Sequence, residues 1–140
     1  MTPDHSCKQR WASEKNDRIR DIRKLWKLYT NGEDQSDPDL GRFDEYGLAF
    51  DYVAPNTFSD QPRGYWRWQI SYGGPSDEFR FHGDGPRHIA RIEYTFLDWF
   101  DGYTRKLMGN DEALLREIWD SYFEESGAAQ AEFDKAMGDE

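Results

Sequence analysis

The chain has 140 residues, a formal net charge of −10 and an aromatic content of 16%. This aromatic content argues against intrinsic disorder, because disordered segments are poor in aromatic residues. The acidic balance disfavours direct binding of nucleic acid, because the protein would repel phosphate groups, and it favours partners with a basic surface. We expect one domain spanning residues 1–140, because the length is that of a single ordinary domain.

Cysteine usage and hydropathy predict the compartment. The single cysteine, Cys7, excludes an internal disulfide framework and fits a reducing environment. No apolar run approaches the ~18 residues that a membrane helix needs, and the opening residues lack the basic and apolar regions of a signal peptide. We therefore expect a cytoplasmic protein that does not contact a membrane.

The first segment is basic, whereas the rest of the chain is acidic. Residues 1–31 carry eight basic and four acidic side chains, and the other 109 residues carry ten basic and 24 acidic ones. Apolar residues at helical spacing predict a helix from Lys8 to Tyr29 that ends at Asn31 and Gly32. The basic residues on its polar side are Arg20, Arg23, Lys24 and Lys27. They predict a solvated face, a site for nucleic acid or an acidic partner, or a contact with the protein's own acidic body.

An acidic loop and a first strand follow this helix. The polar segment from Glu33 to Glu45 predicts a surface loop, and it lacks the ligand spacing of a calcium-binding loop. Alternating apolar residues from Leu48 to Val53 predict a strand that ends at Pro55. Turn-forming residues then predict a loop up to Gly64.

The most distinctive segment runs from Tyr65 to Phe81 and predicts a β-hairpin. One face of its first strand is apolar and is formed by Trp66, Trp68, Ile70 and Tyr72. Residues 73–77 predict the turn, after which Phe79 and Phe81 continue the alternation. A fourth strand is expected from about His88 to Leu97, and we expect residues 98–102 to end the sheet. Short connections between these strands favour an antiparallel meander.

The last third of the chain predicts helices. Asn110 or Asp111 is expected to cap a helix that ends at Gly127. Its apolar double stripe consists of Leu114, Leu115, Ile118, Trp119, Tyr122 and Phe123. Residues 128–137 predict a short helix or a frayed end, and residues 1–7 are expected to be flexible. The fold class is therefore α+β, with about four antiparallel strands covered by an N-terminal helix and one or two C-terminal helices.

Candidate catalytic groups are few. His82 and His88 flank a turn that contains Asp84, so that a metal or catalytic site can be drawn there, although cysteine support and helical spacing are missing. Asp98 and Asp101 could form a general acid–base pair if their aromatic neighbours raised one pKa. Cys7 has a basic neighbour but lies near the terminus. No nucleotide-binding, hydrolase or zinc motif is present, so we expect no enzymatic activity, no cofactor and no metal.

Two surfaces are candidates for recognition. Glu117, Asp120 and Glu124 lie at i, i+3 and i+7, which would present about one carboxylate per 5.4 Å turn in imitation of a line of phosphates. On the reverse face of the hairpin, Arg67 and Arg80 would form a cross-strand ladder with acidic neighbours. The residues of that ladder are Arg67, Glu78, Arg80, Arg91 and Glu93.

Three segments carry a resemblance to a known class of proteins. They are residues 45–53, the hairpin of residues 66–81, and residues 91–102. Together they resemble small acidic accessory proteins of plasmids, phages and other mobile elements, among which anti-restriction and anti-CRISPR proteins inhibit host defence nucleases. The resemblance implies stoichiometric binding of a protein partner, such as a defence nuclease or a CRISPR effector, without a cofactor. The basic first helix departs from a uniformly acidic mimic of DNA.

The sequence thus leads to one main expectation and two alternatives. The main expectation is a non-enzymatic inhibitor that docks an acidic surface on a nucleic-acid-handling protein. The first alternative is a small hydrolase or transferase that uses Asp98 and Asp101, or the turn with His82 and His88. The second is a DNA-binding regulator that uses the basic N-terminal helix.

Overall fold

The computed structural model describes residues 6–138, so expectations for residues 1–5 and 139–140 lie outside the described residues. This part of the chain contains three α-helices: α1 (Cys7–Asn31), α2 (Gly109–Ile118) and α3 (Ala128–Met137). A π-helical segment (Trp119–Glu124) continues α2 directly. The strands are β1 (Ser36–Asp37), β2 (Gly41–Arg42), β3 (Ala49–Val53), β4 (Tyr65–Ser71), β5 (Ser76–Gly83), β6 (Ile89–Asp98) and β7 (Asp101–Lys106).

The fold is α+β, as expected, but its main sheet has five strands rather than four. The strand order is β3-β4-β5-β6-β7, and every neighbouring pair is antiparallel. Residues 98–102 therefore do not end the sheet. Asp98 pairs with Asp101, and Trp99 and Phe100 form a two-residue turn between β6 and β7. The sequence does not reveal this turn, because its two central positions hold Trp99 and Phe100, whereas the nearby Asp101-Gly102 pair lies in β7.

One face of the sheet carries the aromatic core, and all three helices pack on that face. Trp66 of β4 is fully buried and lies 5.2 Å from Trp119 and 6.0 Å from Phe133 between ring centroids. Trp11 of α1 contacts Tyr94 of β6 at 5.9 Å and donates a hydrogen bond to its carbonyl oxygen. The period-2 pattern of the hairpin thus predicted the core correctly.

The turn of the hairpin differs from the expectation at both ends. The register shifts between Gln69 and Ser71, so β4 ends before Tyr72, whose side chain is 79% exposed rather than on the core face. Asp77 was expected in the turn, but it lies in β5 and is buried. It accepts hydrogen bonds from Arg18, Ser71 and Tyr94, which explains how a carboxylate is stabilised there.

The helical termini also differ from the expectation in detail. Met108, rather than Asn110 or Asp111, precedes the first turn of α2. The acidic loop contains the β1–β2 ribbon and a 3₁₀ turn at Phe43–Glu45. Gly127 has φ +85° and separates the π-helical segment from α3, as its position predicted. Residues 128–137 form α3 and contact β3, so that the sheet holds this helix in place.

Candidate protein-interaction surface

Two tyrosines from distant segments meet on the surface between α1 and the π-helical segment. Tyr29 and Tyr122 are both half-buried, and their rings meet edge to face at 5.6 Å. Phe43 supports the pair from below, because it is buried and lies 5.4 Å from Tyr29 and 5.0 Å from Tyr122. Rigid aromatic rings that are partly exposed and firmly supported are typical anchors of protein interfaces.

Carboxylates border this tyrosine pair on one side. Glu33, Glu117 and Tyr29 line an open groove of about 380 Å³. Trp26 Nε1 donates a hydrogen bond to Glu117 Oε2 at 2.6 Å, which fixes the carboxylate without neutralising its charge. Among residues 6–138, neither Glu33 nor Glu117 belongs to an ion pair. Their charge is therefore directed to the solvent or to a partner.

A second groove lies on the other side of the pair. It has a volume of about 300 Å³, and Asp44, Glu45, Leu48 and Tyr122 are among the residues that line it. Asp44 accepts a hydrogen bond from Arg42 at 2.7 Å, whereas Leu48 is 62% exposed. We call Glu33, Asp44, Glu45 and Glu117, together with Tyr29 and Tyr122, the acidic surface. It combines a centre of aromatic and aliphatic side chains with a charged rim, as protein interfaces do.

Electrostatics keep the two phenols neutral. Burial raises the pKa of Tyr29, and the nearby charges of Glu33 and Asp44 raise it further. Burial likewise raises the pKa of Tyr122, and electrostatic interactions with Tyr29 and Asp44 raise it further. Both hydroxyl groups therefore remain protonated and can donate hydrogen bonds at physiological pH.

The π-helical segment positions this surface. It presents Ser121 to one groove and Tyr122 to the other. π-helical turns are rare, and they occur frequently at functional sites. Tyr122 of the acidic surface lies within this segment.

The expected row of helix carboxylates does not form one line. Glu117 faces the groove beside Glu33, but Glu124 turns away and accepts a hydrogen bond from Arg87 at 3.2 Å. Asp120 is exposed between them. The reason is the wider winding from Trp119 to Glu124, which rotates later side chains away from α-helical positions. The expected spacing of about 5.4 Å per carboxylate assumed regular α-helix, and the winding from Trp119 to Glu124 is not regular α-helix.

Arg67 and Arg80 lie on the sheet face opposite the helices, as expected, and they face each other across β4 and β5. Each is engaged by a neighbour. Arg67 donates two hydrogen bonds to Asp51, at 3.0 and 2.7 Å, and Arg80 donates one to Glu78 at 2.7 Å. The five predicted residues lie on this face, but they do not form the expected cross-strand ladder: Arg80–Glu78 and Arg91–Glu93 pair along a single strand, and Arg67 pairs across strands with Asp51. Their charges compensate one another within the sheet.

The basic residues of α1 mostly contact the acidic body of the protein. Arg10 pairs with Asp98 at 2.6 Å and Lys24 pairs with Asp37 at 2.6 Å. Further pairs join the helix to the body or link its own turns: Lys15–Asp111, Arg18–Asp77, Arg23–Asp111, Arg20–Asp17 and Arg20–Asp21. Of the three interpretations of this basic helix, the geometry favours docking on the protein's own body. Lys27, the remaining member of the expected patch, is exposed.

The candidate acid–base pair is committed to structural contacts. Asp98 is held by Arg10, and Asp101 accepts a hydrogen bond from the backbone N–H of Cys7 at 2.9 Å. That N–H donor lowers the pKa of Asp101, which is the opposite of the raised pKa that the general-acid role requires. Cys7 was expected near a flexible terminus, but it is buried at the start of α1, and burial raises the pKa of its thiol.

His82 and His88 of the histidine turn lie in different environments. His82 Nε2 lies 2.7 Å from Glu93 Oε1, whereas His88 is exposed; both line a broad open groove of about 930 Å³. Burial alone would raise the pKa of Glu93, but the bond to His82 and nearby charges lower it on balance. Within the described part of the chain, no three His, Cys, Asp or Glu side chains are grouped so that they could hold a metal ion.

Of the acidic surface, the sequence predicts only Glu117 as a recognition residue. Tyr29 and Tyr122 belong to the apolar stripes of two helices, a pattern that predicts core positions. Glu33 and Asp44 stood in the acidic loop, and nothing in the sequence places that loop beside the π-helical segment. The acidic run of residues 33–45 was the available signal.

No helix within residues 6–138 is long and apolar enough to cross a membrane. No protein-family model, curated protein or solved structure matches the chain.

Proposed function

We propose that this chain is a non-enzymatic, cytoplasmic protein-binding module. It docks its acidic surface on the basic site of a nucleic-acid-handling protein, as a counter-defence inhibitor of the anti-restriction or anti-CRISPR type does. The single observation that carries the proposal is the grouping of unpaired carboxylates around Tyr29 and Tyr122. The defence role rests on the resemblance to accessory proteins of mobile elements.

The distribution of ion pairs supports a basic partner. Most cations of α1 pair with aspartates of the body, and the charges around Arg67 are compensated within the sheet. The carboxylates of Glu33 and Glu117 remain available, so they attract Lys and Arg side chains during the encounter and at the interface. Proteins that bind nucleic acid provide such side chains, because they must neutralise phosphates.

The aromatic pair supports a specific complex rather than a loose electrostatic one. Exposed ion pairs contribute only ~0–1 kcal/mol each, so carboxylates alone give weak binding. Buried tyrosine anchors contribute ~2 kcal/mol or more when they fill a complementary pocket. Tyr29 and Tyr122 have the support from Phe43 that such anchors need, because it limits the conformational entropy lost on binding.

The function can be tested in bacteria that each carry one defined restriction or CRISPR–Cas system. The protein is expressed, and the efficiency of plating of a targeted phage is measured. We expect the wild type to protect the phage and the variant Glu33→Lys/Glu117→Lys to give no protection. Asp84→Lys/Glu132→Lys is the matched control, because it makes the same charge change elsewhere and should leave protection intact.

Two outcomes contradict the proposal. One is the absence of protection against every system tested; the other is full protection by folded Glu33→Lys/Glu117→Lys. Circular dichroism and urea unfolding verify that each variant folds. A DNA-binding regulator would instead bind duplex DNA with a steep dependence on salt, which a filter-binding assay with the purified wild type detects.

A further inference from the structure

Two large aromatic side chains stand in solvent at the turn between β6 and β7. Trp99 is 86% exposed and Phe100 is 107% exposed. Their φ angles are +49° and +61°, the pattern of a type I′ hairpin turn. Such turns favour Asn-Gly, because positive φ brings the Cβ of a bulky residue close to its own backbone.

These features are unfavourable for folding by themselves. Positive φ strains both residues, and exposed rings gain nothing from burial. A turn that only connected two strands would be better served by small polar residues. The combination indicates that this turn is kept for contact with something outside the chain.

More exposed apolar side chains lie along the same end of the sheet. Leu48 precedes β3 and donates its backbone N–H to the carbonyl of Gln69, and Tyr72 follows β4. Ser76 pairs with Leu97, so the β4–β5 and β6–β7 turns are neighbours. Four of the seven exposed large hydrophobic side chains in the described residues lie here: Leu48, Tyr72, Trp99 and Phe100. We call these four the apolar ridge; it crosses about 15 Å from β3 to β6 at a strand spacing of ~4.8 Å.

Charge and size restrict what can cover the ridge. Asp101 is exposed beside Trp99 and Phe100 in an open groove of about 390 Å³, and the chain has a net charge of −10. Phosphate-bearing surfaces are disfavoured by this charge. Four such side chains offer roughly 500–700 Å² of apolar area, which is less than the ~800 Å² per partner of a stable interface. The ridge is therefore too small to hold a dimer alone.

The ridge is continuous with the acidic surface. Leu48 belongs to the ridge, and it also lines the groove that contains Asp44, Glu45 and Tyr122. A partner that covers the acidic surface and extends along the end of the sheet would reach the area that a stable complex needs. Such a partner would place an apolar groove on the ridge and basic side chains on its acidic borders.

We propose that the apolar ridge, with Trp99 and Phe100 at its tip, inserts into an apolar groove bordered by basic residues on a protein partner. This inference rests on the proposed function, because it extends the same interface. It adds a hydrophobic anchor that is separate in sequence from the acidic surface. Trp99 and Phe100 are more informative targets for mutagenesis than the acidic surface, because Asn and Gly fit their turn better and can replace them without loss of stability.

The test uses the full chain and two synthetic peptides. One peptide is an amphipathic helical hairpin with leucines along the groove between its two helices and lysines on both borders of that groove; the second has the same composition in scrambled order, so that it has no apolar groove. Binding is measured by calorimetry. The wild type should bind the amphipathic peptide about tenfold or more tightly than the scrambled one, as expected when aromatic anchors are buried.

The variant Trp99→Asn/Phe100→Gly should lose this preference while its unfolding midpoint in urea stays equal or rises, because Asn-Gly fits the turn. Phe58→Asn is the control, since Phe58 is 51% exposed in another loop and its loss should leave the preference unchanged. Binding of the scrambled peptide reports on the acidic surface separately. It should be weakened by Glu33→Lys/Glu117→Lys and unaffected by the turn variant.

Four results would overturn the inference. The first is equal affinity of the wild type for both peptides, and the second is a preference for the amphipathic peptide that survives in the turn variant. The third is a dimer in sedimentation equilibrium that the turn variant abolishes, and the fourth is Trp99-dependent flotation with phosphatidylcholine vesicles. The third result would assign the ridge to a second copy of the chain, and the fourth to a lipid surface. If the wild type binds the amphipathic peptide but not the scrambled one, the result contradicts the role of the acidic surface and not that of the ridge.

Discussion

The docking of α1 on the sheet depends on a buried ion pair, which the variant Arg18→Met would break. Arg18 donates hydrogen bonds to Asp77 from Nε at 2.7 Å and from Nη2 at 3.2 Å. The Asp77 side chain is 2% exposed and that of Arg18 is 30% exposed. Methionine keeps the aliphatic part of the side chain but removes the charge, so a carboxylate would be left inside the protein with only the hydroxyl groups of Ser71 and Tyr94 as donors.

The magnitude follows from this asymmetry in burial. Leaving one charge of a buried pair without its partner costs ~3–5 kcal/mol. Two hydroxyl donors remain on Asp77, so we expect a loss near the lower limit, about 3 kcal/mol of the free energy of unfolding. Asp77→Asn should cost less, about 2 kcal/mol, because the stranded guanidinium of Arg18 still reaches water. The double variant should cost about 3 kcal/mol rather than 5, which is a coupling of about 2 kcal/mol.

Urea unfolding followed by tryptophan fluorescence measures these values, and the m-value verifies that the transition remains cooperative. Arg20→Met is the matched control, because Arg20 lies on the same helix with a side chain 69% exposed, and its loss should change stability by no more than ~0.5 kcal/mol. A cost of Arg18→Met below ~1 kcal/mol, or strict additivity in the double variant, would refute the reasoning. Either result would mean that Asp77 is not a buried, paired carboxylate.

Three further predictions concern single sites. Cys7 should resist alkylation in the folded protein and react in urea, because burial both raises the pKa of its thiol and shields it; equal rates would contradict this. The hydrogen bond from the Cys7 N–H lowers the pKa of Asp101 from its ordinary 3.8. The ionised carboxylate of Asp101 therefore stabilises the fold above pH ~4, and this stabilisation is lost as the pH falls through the folded-state pKa. In Asp101→Asn, the free energy of unfolding should depend less on pH in this acidic range. Gly83→Ala should destabilise the fold by ~2 kcal/mol or more, because the added Cβ would lie 2.1 Å from the carbonyl oxygen of His88. Gly85→Ala meets no neighbour within 4 Å and serves as its control in the same urea assay.

Periodicity predicted most of the fold because the core has one dominant face. Trp66 and Trp68 alternate with polar residues, and their rings are buried against Trp119 and Phe123 of the π-helical segment, which stabilises the fold through the hydrophobic effect. Such patterns depend only on residues near in sequence. Apolar periodicity predicted α1, β3 to β6 and the C-terminal helices, and it predicted that the helices pack on one face of the sheet.

Features that depend on distant contacts were not predictable in the same way. β7 is largely exposed and polar, so no apolar alternation marks it, and it is defined by its pairing with β6. Asp77 looked like a turn residue because its buried partners, Arg18 and Tyr94, lie 59 and 17 residues away. The acidic surface is assembled from α1, the acidic loop, α2 and the π-helical segment, and only the fold shows that these segments lie close together.

The arrangement of charge shows which ionic side chains hold the fold. Three buried or half-buried carboxylates are each paired with a cation: Asp77 with Arg18, Asp37 with Lys24, and Asp51 with Arg67. Trp99 and Phe100 differ from these residues, because their rings are exposed and their φ angles are positive, so they add nothing to the stability of the fold. Leu48 connects their turn with the acidic surface, because it belongs to the apolar ridge and also lines the groove beside Tyr122. The interface that we propose follows this connected surface, and the aromatic hairpin, despite its distinctive sequence, is the scaffold that carries it.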